Sequence, residues 1–412
     1  MSFISINKVF FFIFLLLIFS CQNNLSSLND NNTINKTATK FEKNEKIDFS
    51  INKILDDNII DYYSNQSVNY NFLEKKFHKI KINNFEGKIE NNISLNIVFN
   101  DSSIYSVNFK GNILKFDIKT GKLIDRINIA LPYQNTIPVS FSLIDNDFII
   151  GFKSGEIIRV NNEGIILWEY VEQNLLNTPI KYYDNSLIAL YPEDIVILSP
   201  NNGEILFKKN FNFNNIIQSS GGKIVNYFNL IFFILPNSTF NVIDTFLYED
   251  HRTNLDEIEV NNLLNNLDDH IHIYKNLFVY LDNGNSLYSY DLIKNQYLLS
   301  NYRINKITSS ILFNNSLITK NNEYIKFYNL KNGNLFSEIK IDKLLKKDSK
   351  LIYATTINKK LHLFTNEGKL LILNNQLEIE NNLDLKIRKI NKVYNYQGRI
   401  FISTNSGITY IY

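Results

Sequence analysis

Short runs in which apolar and polar residues alternate fill most of the chain, and one arrangement of them keeps returning. A strand-like run, a turn closing on glycine and a second strand-like run occur as GNILKFDIKTGKLI at 111–124, GEIIRVNNEGIILWEY at 155–170 and EDIVILSPNNGEILFKK at 193–209. The unit recurs as EYIKFYNLKNGNLFSEI at 323–339, without its glycine at 284–300 and 368–383, and in degenerate form at 240–250. An apolar spacing of two puts successive side chains on opposite faces of a strand, whereas a helix repeats at about 3.6, so a solenoid of helical repeats is excluded. Gly121, Gly164 and Gly203 follow one another at intervals of 43 and 39 residues. Each unit is preceded by two further apolar runs split by an Asn or Asp turn, such as 141–144 before 148–152.

Four short strands in about 42 residues is the period of a propeller blade. Seven units, followed by RIFISTNSGITYIY at 399–412, predict an all-β, eight-bladed β-propeller of four-stranded blades, with a seven-bladed ring as the second choice. The last run supplies only the second and third strands of its blade. An open ring would expose unpaired edges, so the missing outer strand is expected near residues 78–82, making residues 78–412 a propeller closed by an N-terminal strand.

The N-terminus reads differently. An uncharged apolar run at 9–19, about half of what a spanning helix needs, follows Lys8 and has the character of an export signal. It ends Ile18-Phe19-Ser20-Cys21, which resembles the lipobox of bacterial lipoproteins, and Cys21 is the single cysteine of the chain. The resemblance implies a signal peptide at 1–20, a diacylglycerol on the Cys21 thiol and, since Gln22 rather than Asp follows, residence on the periplasmic face of the outer membrane. Residues 22–48 are dominated by Asn, Ser, Thr, Lys and Glu, with few large apolar residues, and read as a polar tether. Ile54, Leu55, Ile59 and Ile60 suggest a short helix in the approach segment, so residues 21–77 form the lipidated N-terminus and tether.

Composition narrows the function. With 43 Lys and Arg against 41 Asp and Glu there is no electrostatic case for nucleic acid. One cysteine excludes an intramolecular disulfide and cysteine-based metal or haem sites. The strong use of Asn, Ile, Lys, Phe and Tyr reflects coding bias more than chemistry.

The run Phe116-Asp117-Ile118-Lys119-Thr120-Gly121 is similar to the repeat of the pyrroloquinoline-quinone-type propellers, in which a Trp four residues after the Gly docks on the next blade. Trp168 keeps that residue; Asp125, Phe207 and Ser337 stand at the equivalent places. Signal, tether and blades together resemble the propeller lipoprotein subunits of the outer-membrane β-barrel assembly machinery. That resemblance implies a non-catalytic scaffold with no cofactor, binding the barrel-inserting subunit and nascent outer-membrane proteins. It places the partner surface on the loops between blades 3 and 4, at Ile216 and Ile217, and between blades 4 and 5, at Asp268 and Asp269.

The alternative is a periplasmic ligand-binding or quinone-dependent enzyme propeller. The residues give it little: there is no phosphate-cradling glycine loop, nucleophile elbow or zincin helix. His270 and His272 share one face of a predicted strand, but Ile271 and Ile273 on the other face read as ordinary core alternation. The longest connection is expected at 245–269, rich in acids. Lys340, Lys343, Lys346, Lys347 and Lys350 mark a basic loop, read as solvated, after blade 6.

Overall fold

The computed structural model describes residues 80–83, 97–100, 102–108, 111–130, 137–176, 178–210, 223–227, 230–234, 240–244, 249–250, 271–274, 277–281, 286–291, 294, 296–304, 307–341, 344–396 and 399–412. Among them, thirty-two strands form eight four-stranded antiparallel sheets. Seven sheets are consecutive: blades 1 to 7 cover 98–127, 138–170, 181–210, 223–250, 271–303, 309–340 and 351–384. The eighth combines three strands at 390–411 with Ile80–Asn83, which pairs in the register Ile80↔Ile411 to Asn83↔Ile408. The outer strand of blade 8 therefore comes from the opposite end of the chain.

Burial follows strand position within a blade. The second and third strands of blade 3, Ser186–Leu190 and Asp194–Leu198, are buried at every residue, because a middle strand is covered on both faces by neighbouring blades. The outer strand Ile205–Asn210 alternates between half-buried and exposed. Turn chemistry sets the blade corners. Asp145 and Asn146, and Asp184 and Asn185, take the positive φ that a two-residue hairpin turn requires. In blade 1, Asp117 Oδ1 accepts from the Thr120 amide and hydroxyl, and Gly121, at φ 66°, completes the turn.

Packing between blades runs around the whole ring. Apolar clusters join blade 1 to 2, 2 to 3, 3 to 4, 5 to 6, 6 to 7 and 7 to 8. Phe232 stacks on Phe278 between blades 4 and 5. Closure is made by Phe99 of blade 1 against Phe401 of blade 8, with ring centroids 4.6 Å apart, and by Arg399, which donates to the Ile118 carbonyl at 2.6 Å. Eight sheets and eight joints make this an eight-bladed ring.

One hydrogen bond recurs at the blade period. The Ile180 amide donates to Ser140 Oγ between blades 2 and 3, and the Leu351 amide to Ser309 Oγ between blades 6 and 7, each at 2.9 Å. The joint between blades 2 and 3 has an additional clamp. Trp168 Nε1 and Arg159 both donate to the Pro200 carbonyl, at 2.9 and 2.7 Å, and Arg159 pairs with Asp147 at 2.7 Å. Gly203 has to be glycine here: its φ is +73°, and a Cβ would lie 2.7 Å from the indole.

The connection expected at 245–269 is shorter than its sequence suggests. Glu249–Asp250 pair with Ile243 and Asp244 as the outer strand of blade 4, because even two residues complete the edge of the sheet. Two of the acids assigned to that loop, Glu249 and Asp250, therefore belong to a strand.

Candidate functional site

Antiparallel order sends every second-to-third-strand turn and every inter-blade connection to the same side of its blade. The expected partner positions Ile216, Ile217, Asp268 and Asp269 lie outside the described residues, as do Cys21 and His270. The strand carrying His272 is Ile271–Tyr274. Among the described residues no group of three or more His, Cys, Asp or Glu could hold a metal ion.

Two polar constructions on that side are well defined. Where the chain leaves blade 2, Glu172 Oε2 accepts from the Tyr170 hydroxyl at 2.7 Å and from Lys208 of blade 3 at 2.6 Å. Next to it Asp194 accepts from Asn174 at 2.8 Å and from Asn210 at 2.8 Å, and the Tyr191 hydroxyl donates to the Gly155 carbonyl at 2.9 Å. Burial alone would raise the Glu172 carboxyl, but the Lys208 and Tyr170 hydrogen bonds outweigh it and hold the group below its ordinary range. Burial pushes both Tyr170 and Tyr191 well above the ordinary phenol value, with Glu172 adding to it, so both stay protonated donors. The network fastens the exit of blade 2 to blade 3 and keeps the connection 171–180 in one path.

Across the ring, the basic loop after blade 6 is anchored from below. Lys320, fully buried, donates to the Lys347 carbonyl at 2.9 Å and to the Asn321 carbonyl at 3.2 Å. Burial lowers its pKa, while Asp348 and Glu367 oppose the shift. Lys346 and Lys347 are exposed, and Lys346 pairs with Glu367 at 2.8 Å. The loop is a solvated connection hung on a buried cation.

His362 of blade 7 is also buried, and its Nδ1 lies 3.0 Å from the Lys360 carbonyl. A carbonyl only accepts, so Nδ1 carries the proton. Burial pulls its pKa down from 6.5 to about 4, and the imidazole is neutral at physiological pH.

Sequence reasoning missed Glu172, Asp194 and Lys320. Each belongs to a strand end or connection where polar residues are expected, so neither spacing nor residue type distinguishes them. Their roles come from partners that the ring brings together.

No protein-family profile matches the chain, and no curated protein sequence does. Its fold is similar to that of BamB from Moraxella catarrhalis, with TM-score 0.58 and 13% identity over 81% of this chain and 98% of that one. The computationally designed Ika8 protein matches at TM-score 0.57 and 14% identity, over 79% and 98% of the two chains. Sqt1 of Saccharomyces cerevisiae matches at 0.54 and 11%, over 78% and 99%. These likenesses establish a BamB-like propeller fold, one that a designed protein and a yeast protein also share.

Proposed function

We propose that this chain is a non-catalytic scaffold lipoprotein of outer-membrane β-barrel assembly. In this reading it is anchored at the periplasmic face of the outer membrane by lipid on Cys21. It grips the barrel-inserting subunit through the loops bearing Ile216, Ile217, Asp268 and Asp269, and presents nascent outer-membrane strands. The observation that carries the reading is a conjunction. A ring similar in fold to BamB, over nearly the whole of that chain, follows an uncharged apolar run at 9–19 that leads into the chain's one cysteine. A rigid ring with variable connections is suited to such work, since the scaffold holds the loops in fixed relation at little entropic cost on binding.

The test is co-purification from detergent-solubilised membranes. Asp268→Arg combined with Asp269→Arg is expected to release the barrel-inserting subunit while melting stays as in the parent, since a desolvated charge contact commonly contributes about 2 kcal/mol or more. Lys343→Glu with Lys346→Glu, on another connection, should leave binding nearly intact. Normal binding by the aspartate variant, or release by the lysine variant, would sink the assignment of this surface.

A further inference from the structure

Every large apolar side chain that is strongly exposed among the described residues belongs to the outer strands of blades 1 to 3, to the turn just before the blade 2 outer strand (Ile165) or to the connection after blade 2. The pattern is regular. The register shifts once in each of these outer strands, leaving a bulged residue just after the turn: Ile124 in blade 1, Leu167 in blade 2 and Leu206 in blade 3. These are 54%, 49% and 40% exposed. The same bulge in blade 6 carries Phe336, which is half-buried against the blade 6 to 7 cluster, and in blade 7 it carries Glu380, paired with Lys360. Apolar residues scattered singly over a surface need no explanation, but one repeated at equivalent positions in three successive blades forms a row.

Where the chain enters the ring indicates what covers that row. Ile80 pairs with Ile411 as Leu123 pairs with Phe116, so the chain before Ile80 joins blade 8 where other blades have the turn that precedes the bulge. Blade 8 is the neighbour of blade 1, where the row starts. The residues just upstream are the only apolar ones between the export signal and the ring that are dense enough to match: Ile51, Ile54, Leu55, Ile59 and Ile60, then Phe72, Leu73 and Phe77. The twenty or so residues from Ile60 to Ile80 can span up to ~65 Å, enough to pass several outer strands. We propose that segment 51–77 of the same chain docks on the apolar row of blades 1 to 3. Docking would shorten the free tether to residues 22–50 and cover three sheet edges that would otherwise be open to other strands.

Cysteine pairs test this in the full chain, and Cys21→Ser leaves no competing thiol. Ile59→Cys is combined in turn with Ile124→Cys, Leu167→Cys, Leu206→Cys and, as comparator, Glu380→Cys. Blades 1 and 7 flank blade 8 equally, so a free tether reaches positions 124 and 380 alike. Docking predicts a disulfide within one chain at one or more row positions, forming about tenfold or more faster than at 380 through its higher effective concentration. It also predicts that the favoured crosslink slows to the rate at 380 when the other two row residues are changed to Asp. Equal rates at all four positions would overturn the proposal. So would crosslinks that join two chains, which would make a second copy the occupant.

Discussion

Between blades 2 and 3, two side chains of blade 2 reach across the joint: Trp168 and Arg159 donate to one carbonyl of the blade 3 turn, and the indole lies against Gly203. Between blades 6 and 7, Ser337 stands where Trp168 would, and the joint is filled instead by Phe313, Phe327, Leu361, Leu363 and Leu371. Both joints keep the serine that caps the incoming strand. The difference teaches that the docking Trp of the repeat is one of two sufficient solutions. A large ring with a polar handle satisfies a turn carbonyl while covering apolar surface. Interleaved Phe and Leu side chains fill the joint without contributing a polar group to the neighbouring turn.

If that contrast holds, Trp168→Ala should have the largest effect on stability. Truncating a buried Trp typically costs about 3–5 kcal/mol, whereas Ser337→Ala at the equivalent position should stay within about 0.5 kcal/mol. Chemical denaturation of the two variants measures the gap, and similar losses would mean that the clamp contributes no more than a surface contact.

The second prediction concerns the opposite side of the ring, where His362 is buried, as is Lys320. The unfolded chain takes up its proton around pH 6.5, while the folded chain resists until about pH 4. Stability from the neutral buried imidazole is therefore full above pH 6.5 and is lost as pH falls towards 4, by up to about 3 kcal/mol. His362→Gln should flatten this part of the stability profile relative to the parent. Parallel profiles from pH 7 to pH 4 would show that His362 is not buried as described.

The smallest effect sharpens what the joints share. Ser140→Ala and Ser309→Ala each leave an amide without its acceptor and should each cost about 1 kcal/mol. Because both bonds are 2.9 Å long and buried, the two losses are expected to match. A clear inequality would show that the Trp168 clamp changes how tightly its serine is held.

Much of the fold is legible in the order of residues alone. The alternation in 111–124, 155–170 and 193–209 and the intervals between Gly121, Gly164 and Gly203 mark four-stranded blades. The incomplete run at 399–412 calls for a strand donated from the N-terminal side, found at Ile80–Asn83. The repeat also singles out Trp168. The candidate sites are less legible. The two-residue strand Glu249–Asp250 is hidden in an acidic run because a pair of residues has no periodicity. Ile124, Leu167 and Leu206 look like ordinary strand residues until the bulge turns them outward.

By itself the sequence determined which residues alternate and where the chain must turn, because those depend on neighbours within about ten residues; whether seven or eight blades close the ring was left to the pairing of Ile80–Asn83 with the last blade. Only the tertiary structure decided that Glu172 meets Lys208, that Lys320 holds the Lys347 carbonyl and that Phe99 closes on Phe401. A period tells which face of a strand a side chain takes. It does not tell which side chain of the next blade, some forty residues or the whole length of the ring away, will be there to meet it. That choice belongs to the closed ring, where each blade's twist and packing set the partners of the next.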